Sequence, residues 1–295
     1  MTDGEERLAQ PRDAFALLGH DLRLEILLAL LSHWEAVETE PQRYSELMRA
    51  VGMEDSGKFN YHLDRLRGVY LRKTDDGYVP TASATALYRA VLAHRPTETP
   101  ARTQLDPGID CPNCGAALVG VYEREFFSLR CDPCDSVVGE FTYPLPKNSL
   151  AERTDREVLE AVYDRAREHI GLARRGQCPD CGGTTTRDVE VSAITETESP
   201  VRIDCDTCTW TVRTGFLLPF LTDARVLAAL DGVGVAVEDR SPWELPEPTA
   251  MVTGADPVQV DLVVTAGEGE VTITIDNDLS VQETRTDCRA SEQST

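Results

Sequence analysis

Apolar side chains recur at helical spacing over much of the first hundred residues. Between Asp13 and His33 they fall every three or four positions, which predicts one amphipathic helix. Further helical stretches follow, with one pair of short apolar runs around Asp75-Asp76-Gly77. The predicted elements are a helix over 13–33, a helix over 44–51 capped by Ser45, a helix capped by Asp55 or Ser56, a β-hairpin over 70–79 and a helix over 82–93.

This order of elements is typical of a winged helix–turn–helix domain, in which the hairpin forms the wing. We assign residues 1–96 to this domain. In its third helix, Phe59, Leu63 and Leu66 form an apolar stripe that predicts the buried face. The stretch at 97–108 is rich in Pro, Thr and charged residues and is predicted to be a linker.

An internal repeat follows the predicted linker. The segment CPNCG at 111–115 matches CPDCG at 178–182, and CDPC at 131–134 matches CDTC at 205–208. After each second cysteine pair, an apolar run that contains proline predicts a strand, with a helix behind it. The runs are FTYPLP at 141–146 and FLLPFL at 216–221, and the two helices begin near Asp155 and Asp223.

Apolar and polar residues alternate strictly near the C-terminus. Gly267-Glu268-Gly269 separates two runs of this pattern, which predicts a β-hairpin with one buried face. Its apolar positions are Val258, Val260, Leu262, Val264, Val271, Ile273 and Ile275. The chain is therefore predicted to be α+β, with a winged helix–turn–helix domain, two ribbon-plus-helix units at 109–175 and 176–240, and a C-terminal β-hairpin segment with a polar tail at 241–295.

Acidic residues outnumber basic ones along the whole chain. The 295 residues include 51 Asp and Glu against 29 Lys and Arg, giving a formal net charge of −22. Only three of the basic residues are lysines. An acidic, lysine-poor surface is typical of proteins that stay soluble in molar salt. We favour a halophilic protein over an acidic mesophilic one that meets basic partners, so the overall acidity says little about function.

Nothing in the sequence predicts a membrane segment or a secretion signal. No apolar run approaches the ~18 residues of a membrane span, and the N-terminal MTDGEERLAQ is acidic and polar. We therefore expect a cytoplasmic protein without membrane contact. In that compartment disulfides are rare, and paired cysteines are typical of metal sites.

Four Cys-x-x-Cys pairs account for eight of the nine cysteines, with Cys288 left over. Two such pairs supply the four thiolates that a tetrahedral zinc ion takes, and leave no open position for water or substrate. Redox-active dithiols are the weaker alternative, because no βαβ pattern surrounds the pairs. We predict two structural Zn²⁺ ions per chain, bound by Cys111, Cys114, Cys131 and Cys134, and by Cys178, Cys181, Cys205 and Cys208.

A local excess of positive charge marks the third predicted helix and the hairpin. Residues 56–73 contain five basic residues and one acidic residue, a net charge of +4, so the remainder of the chain carries −26. Side chains of these types contact phosphates or base edges when a helix enters the major groove; a solvated charged face is the alternative. His62 lies beside the apolar stripe and is expected to be packed. The predicted DNA-binding residues are Ser56, Lys58, Asn60, Tyr61, Arg65, Arg72 and Lys73.

Two segments carry a resemblance to a known family. GHDLRLEILLAL at 19–30 and SGKFNYHLDRL at 56–66 resemble the first helix and the recognition helix of ArsR-type winged-helix regulators of archaea. The matching positions are Arg23, Leu24, Ile26, Leu27, Ser56, Asn60, His62, Leu63 and Leu66. The whole architecture is similar to halophilic archaeal regulators with appended cysteine-rich domains. Unlike the metal-sensing members, this chain has no cysteine in the winged-helix region.

The resemblance implies a DNA-binding transcriptional regulator that works as a homodimer. The winged helix is expected to bind double-stranded DNA, and the zinc-ribbon half to serve protein contact, sensing or dimerisation, including contact with the transcription machinery. A general factor similar to archaeal transcription factor E, which also joins a winged helix to a zinc ribbon, is the alternative. An enzyme is not expected, because the sequence lacks a Gly-rich phosphate loop, a Gly-x-Ser-x-Gly motif and an acid–histidine constellation.

Overall fold

The computed structural model separates into two compact units, residues 1–99 and 100–295. It describes residues 11–34, 39–100, 103–111, 113–134, 142–191, 199–238, 240, 244–267 and 269–288. The N-terminal MTDGEERLAQ and the last seven residues of the predicted polar tail lie outside the described residues. Within the described part of the chain, no helix combines the length and apolar character that crossing a membrane requires.

The first unit contains helices and one short antiparallel hairpin. In the hairpin, Arg72 lies opposite Val79. The elements are α1 (Pro11–Leu18), α2 (Asp21–Leu31), α3 (Tyr44–Ala50), α4 (Ser56–Leu66), β1 (Leu71–Lys73), β2 (Tyr78–Pro80) and α5 (Ala82–His94). The core gathers one face of α4 with residues of α2 and α3, and Ile26, Leu47, Phe59 and Leu66 are inaccessible to solvent. The predicted inward stripe of α4 is confirmed.

Two details of the first unit differ from the sequence prediction. The helix predicted over 13–33 is divided into α1 and α2, because His20 leaves the helical conformation and its Nδ1 accepts a hydrogen bond from the Leu22 N–H at 3.2 Å. The Ser45 cap is wrong: Arg43 precedes the first turn of α3, and the Glu46 carboxylate accepts the Arg43 N–H at 2.8 Å. The Asp55 cap of α4 is confirmed.

In its described residues, the second unit contains three antiparallel sheets and two α-helices. The sheet orders are β3-β4-β5-β6, β7-β8-β9 and β10-β11-β12-β13. The elements are β3 (Gln104–Leu105), β4 (Val119–Glu123), β5 (Phe126–Arg130), β6 (Thr142–Pro144), α6 (Asp155–Arg174), β7 (Thr185–Val189), β8 (Val201–Cys205), β9 (Thr211–Thr214), α7 (Ala224–Asp231), β10 (Thr249–Ala255), β11 (Val258–Ala266), β12 (Gly269–Asp276) and β13 (Val281–Cys288). The chain is therefore a mixed α+β protein.

Three predictions for the second unit need correction. Part of the predicted linker 97–108 is strand β3, because Leu105 is buried in the core and pairs with Gly120 of β4. The run FLLPFL at 216–221 forms a 3-10 turn instead of a strand, with Pro219 in its first turn. The C-terminal hairpin is β11 and β12, but β10 and β13 flank it and complete a four-stranded sheet.

Helix α6 is the longest helix of the described chain, and the second unit packs around it. Its apolar face, including Val158 and Val162, is buried in the same cluster as residues of all three sheets. Gly171 of α6 lies very close to Thr222. The Cβ atom of any other residue at position 171 would lie 2.2 Å from the Thr222 hydroxyl oxygen. Glycine at this helix-interior position therefore lets the 3-10 turn and the loop after it pack directly on α6.

A buried ion pair ties the end of α6 to the start of α7. Arg174 donates to the Asp223 carboxylate at 3.0 Å and to the Leu279 carbonyl at 3.1 Å. Burial alone would raise the pKa of Asp223, but hydrogen bonds from Arg225 and Arg174 outweigh it and hold that pKa below its usual value. The contribution of Asp223 to stability is therefore present at neutral pH and is lost as the pH falls below about 4.

We expect Arg174→Met to lower the free energy of unfolding by about 2 kcal/mol, because it removes one of the two arginines that pair with the largely buried Asp223 carboxylate. Arg156→Met is the matched control, since Arg156 pairs with Glu160 on the exposed face of the same helix and is expected to cost about 0.4 kcal/mol. Urea titration at neutral pH measures both variants. Equal losses in the two variants would contradict the role given to the buried pair.

Candidate metal centres and basic segment

Two loops of the same backbone geometry position the first cysteines of each cluster. In the first loop, the Gly115 N–H donates to the Cys111 carbonyl at 2.8 Å. In the second loop, the Gly182 N–H donates to the Cys178 carbonyl at 3.0 Å. Both glycines have positive φ, 72° and 74°, a conformation that only glycine adopts without strain. The sequence repeat is therefore also a repeat of backbone structure.

The eight paired cysteines form two clusters of four. In each cluster the four sulfur atoms lie within 4.8 Å of one another. The first cluster is Cys111, Cys114, Cys131 and Cys134, and the second cluster is Cys178, Cys181, Cys205 and Cys208. The sulfur atoms of Cys114 and Cys131 are 3.4 Å apart, and those of Cys178 and Cys208 are 3.7 Å apart. The predicted ligand sets are thus brought together.

These distances fit metal coordination and exclude disulfides. A disulfide requires sulfur atoms at about 2.05 Å. A tetrahedral ion with metal–sulfur bonds of about 2.3 Å places its sulfur ligands about 3.8 Å apart. The measured separations of 3.4–3.7 Å lie near the tetrahedral edge. Each cluster can hold one metal ion, and the all-thiolate donor set is consistent with zinc.

Backbone N–H groups stabilise the thiolate form at the second cluster. The N–H groups of Cys208 and Thr207 both donate to the Cys205 sulfur at 3.3 Å and lower the pKa of that thiol to about 7. In the first cluster, burial raises the pKa of Cys131 to about 12. The second cluster also contains a thiol of raised pKa, Cys208 at about 12, and the first contains one of lowered pKa, Cys111, so the thiols within each cluster differ in acidity.

The predicted DNA-binding residues lie on α4 and β1, and all seven are exposed. We call residues 56–73 the basic segment. In the described part of the chain, no carboxylate lies within ion-pair distance of Lys58, Arg65, Arg72 or Lys73. Asn60 has an acidic partner, because its side-chain amide donates to the Asp64 carboxylate at 3.1 Å.

Two histidine rings, one of them from the basic segment, lie close together, and sequence reasoning missed this pair. The rings of His20 and His62 are 4.1 Å apart, and His62 is buried, as expected from its place beside the apolar stripe. Burial, His20, Arg23 and Lys58 all lower the pKa of His62. His62 is therefore largely neutral at pH 7. Tyr61, beside it, is exposed.

The tip of the hairpin and the sheet of the second cluster both lack the free positive charge of the exposed face of α4. Asp75 and Asp76 are exposed at the turn between β1 and β2, so the tip of the hairpin is acidic. On the sheet that carries the second cluster, Arg202 pairs with Asp204 at 2.7 Å, and Arg213 pairs with Glu190 at 3.3 Å. These paired arginines contrast with Lys58, Arg65, Arg72 and Lys73 of the basic segment, whose fifth basic residue, Arg67, pairs with Asp64 at 3.3 Å.

A family model described as a domain of unknown function, DUF7351, matches residues 108–281, which is more than half of the chain. The chain belongs to this family. Both cysteine clusters lie within the DUF7351 region. A second model, described as domain of unknown function DUF7347, matches residues 11–91, which contain the basic segment. No curated protein and no solved structure matches the chain.

The DUF7351 region is expected to bind two metal ions, one in each cysteine cluster. Elemental analysis of protein purified without chelator should find about two zinc ions per chain. Cys114→Ser and Cys181→Ser should each lower the content to about one ion, because each removes one ligand from a different cluster. Cys288→Ser, outside the four pairs, is the control and should keep both ions. An ion content near zero would exclude metal binding.

Proposed function

We propose that this protein is a DNA-binding transcriptional regulator whose first unit is a winged helix of the ArsR type. One observation carries the proposal: the basic segment presents unpaired cations in a chain of net charge −22. Exposed positive charge without acidic partners attracts a polyanion, and DNA is one. The order α3, α4, hairpin supports the fold assignment, since a winged helix has this order.

In this proposal α4 enters the major groove. Its inward residues Phe59, Leu63 and Leu66 are fixed in the core, so the opposite face projects Lys58 and Arg65 at a rigid spacing. Asp55 caps the helix through the Lys58 N–H at 3.0 Å, which fixes the position of its first turn. Lys58 and Tyr61 are the residues proposed to reach base edges, and Arg65 contacts a base or a phosphate.

The hairpin is proposed to contact the DNA backbone through β1. Arg72 and Lys73 supply the positive charge, while Asp75 and Asp76 make the hairpin tip unfavourable for phosphates. The contact therefore involves the strand and the side of the hairpin, and the tip stays outside the groove.

The protein is proposed to bind DNA as a homodimer held by its first unit. From Ile26 to Leu31 helix α2 is apolar on all sides, and such segments are normally buried on all sides, although Asp21, Arg23 and Glu25 lie in its first turns. Yet Leu24 and Leu28 of α2 are exposed, and so are Phe15 of α1 and Val91 of α5, both helices that contact α2. A second copy of the unit would bury these side chains and place two α4 helices on two half-sites.

The DUF7351 region is proposed to hold two structural zinc ions and to serve protein contacts, including contact with the transcription machinery. Zinc bound by four thiolates contributes folding energy and offers no open position for catalysis. On the sheet of the second cluster, Arg202 and Arg213 are paired with acidic side chains and leave little free positive charge for DNA, which supports a role of this sheet in protein contact. We place this activity in the cytoplasm and propose no enzymatic activity.

Replacing Lys58 and Arg65 together by alanine should weaken binding to promoter DNA by about 1–3 kcal/mol per lost base contact and reduce sequence preference. The matched control is Arg202→Ala with Arg213→Ala, two exposed arginines that already have acidic partners. Fluorescence anisotropy at one fixed salt concentration compares the variants with specific and unrelated duplexes. Unchanged affinity and specificity in a folded Lys58/Arg65 variant would exclude α4 as the reading helix.

Replacing Arg72 and Lys73 by alanine should weaken binding about equally on all sequences. Each lost phosphate contact should lower the slope of log affinity against log salt concentration by about 0.9. The titration must extend over a salt series, because molar salt reduces the Debye length to about 3 Å. A change in sequence preference without a change in slope would mean that the hairpin reads bases.

Genome-wide occupancy of the tagged protein tests the proposal as a whole. A regulator should occupy discrete promoters. A uniform signal at all promoters, together with co-purification of RNA polymerase, would favour a general factor similar to archaeal transcription factor E.

A further inference from the structure

The two edges of the C-terminal sheet differ in how they are protected. Strand β13, at one edge, carries Glu283, Arg285 and Asp287. Strand β10, at the other edge, reads TAMVTGA and carries no charge and no proline. Charged side chains on an edge strand oppose pairing with another chain, whereas a bare apolar edge favours it. β10 is therefore the less protected edge, although a β-bulge at Thr253 interrupts its regular pairing with β11.

The sheet face that packs into the core extends onto β10, but there it is partly exposed to solvent. Val252 lies opposite Val260 of β11, so the two side chains share one face of the sheet. Val260 is fully buried, but Val252 is 45% exposed. On the other face Met251 is 50% exposed. Among the described residues, no backbone group of β10 has a hydrogen-bond partner outside β11.

We propose that β10 pairs antiparallel with β10 of a second copy of this chain, joining two four-stranded sheets into one. Two copies that each carry −22 can approach closely only where their surfaces lack acid, and β10 is such a segment. An antiparallel pair of identical strands obeys a two-fold axis, so the contact closes on itself. Val252 of both copies then covers the open end of the core face.

Residues on both sides of β10 limit the pairing and make it depend on salt. Pro248 and Pro257 lack an N–H and bound the seven-residue strand at each end. Glu247 and Asp256 are exposed beside them. In an antiparallel pair, the start of β10 in one chain lies beside the end of β10 in the other. Glu247 of one chain therefore lies near Asp256 of the other, and the two negative charges repel. Molar salt screens this repulsion and should strengthen the pairing.

This contact is separate from the proposed dimer of the first unit, and each can be removed alone. Val252→Arg places a charge on the β10 edge, and Leu24→Glu with Leu28→Glu places charges on the exposed face of α2. Thr265→Arg, on an exposed position of β11 in the same sheet, is the matched control. The weight-average mass of each full-length variant is measured by sedimentation equilibrium in molar and in dilute potassium chloride, with circular dichroism to confirm folding.

In molar salt, Val252→Arg should halve the mass of the α2 variant, in which the first-unit contact is already removed, and Thr265→Arg should leave that mass unchanged. Dilute salt should also lower the mass of the α2 variant. An unchanged mass on adding Val252→Arg to the α2 variant would overturn the inference. If the α2 variant keeps the wild-type mass while Val252→Arg halves it, the β10 contact stands and the first-unit dimer fails.

Hydrogen exchange of the unmodified chain gives an independent measurement, and Met251→Lys gives a second edge variant. Amides of 249–255 should exchange more slowly as protein concentration rises, and this protection should be absent in Met251→Lys. Exchange that does not depend on concentration would overturn the self-pairing and leave the edge open to a strand from another protein.

Discussion

Eight sulfur atoms gathered into two groups constrain the second unit more than any other feature. The strands next to the second cluster are short: β7, β8 and β9 have four or five residues each. Sheets of this size bury little apolar surface by themselves. Four thiols within 4.8 Å also cannot ionise together unless a cation balances their charge. Bound metal would resolve both constraints at once, contributing on the order of 10–16 kcal/mol per site at neutral pH.

In the first unit, the distribution of charged side chains is the corresponding constraint. The chain is acidic almost everywhere, and many of its exposed arginines are paired with carboxylates, as in Arg156–Glu160 and Arg202–Asp204. The basic segment departs from this rule on the outward face of α4 and on β1. Its inward face is rigidly packed, so the cations project from a fixed helix. A rigid scaffold that holds several positive charges close together is suited to binding a polyanion. In the free protein these charges repel one another.

Patterns within one element predicted the structure well, and features that depend on tertiary packing were missed. The stripe of Phe59, Leu63 and Leu66 and the alternation around Val260 predicted the buried faces, because burial follows the period of the helix or strand. The cysteine spacing predicted both clusters, because a Cys-x-x-Cys-Gly turn fixes its own geometry.

The missed features arise from contacts between segments distant in sequence. Residues Gln104–Leu105 pair with β4, which a composition rich in Pro and Thr conceals. Helix α2 begins anew at His20 because that imidazole caps it, whereas the apolar period continues across the break. The flanking strands β10 and β13 lack the alternation of apolar and polar residues that marked β11 and β12, since edge strands are less buried.

We expect the second unit to depend on bound metal for its fold and the first unit to fold without it. Hydrogen exchange of the full chain, measured before and after a strong chelator removes the metal, tests it most directly. Peptides from 104–281 should lose protection together, while the protection of α2, α3 and α4 should remain. Loss of protection in both units, or unchanged protection in 104–281 after the metal has been removed, would contradict the account.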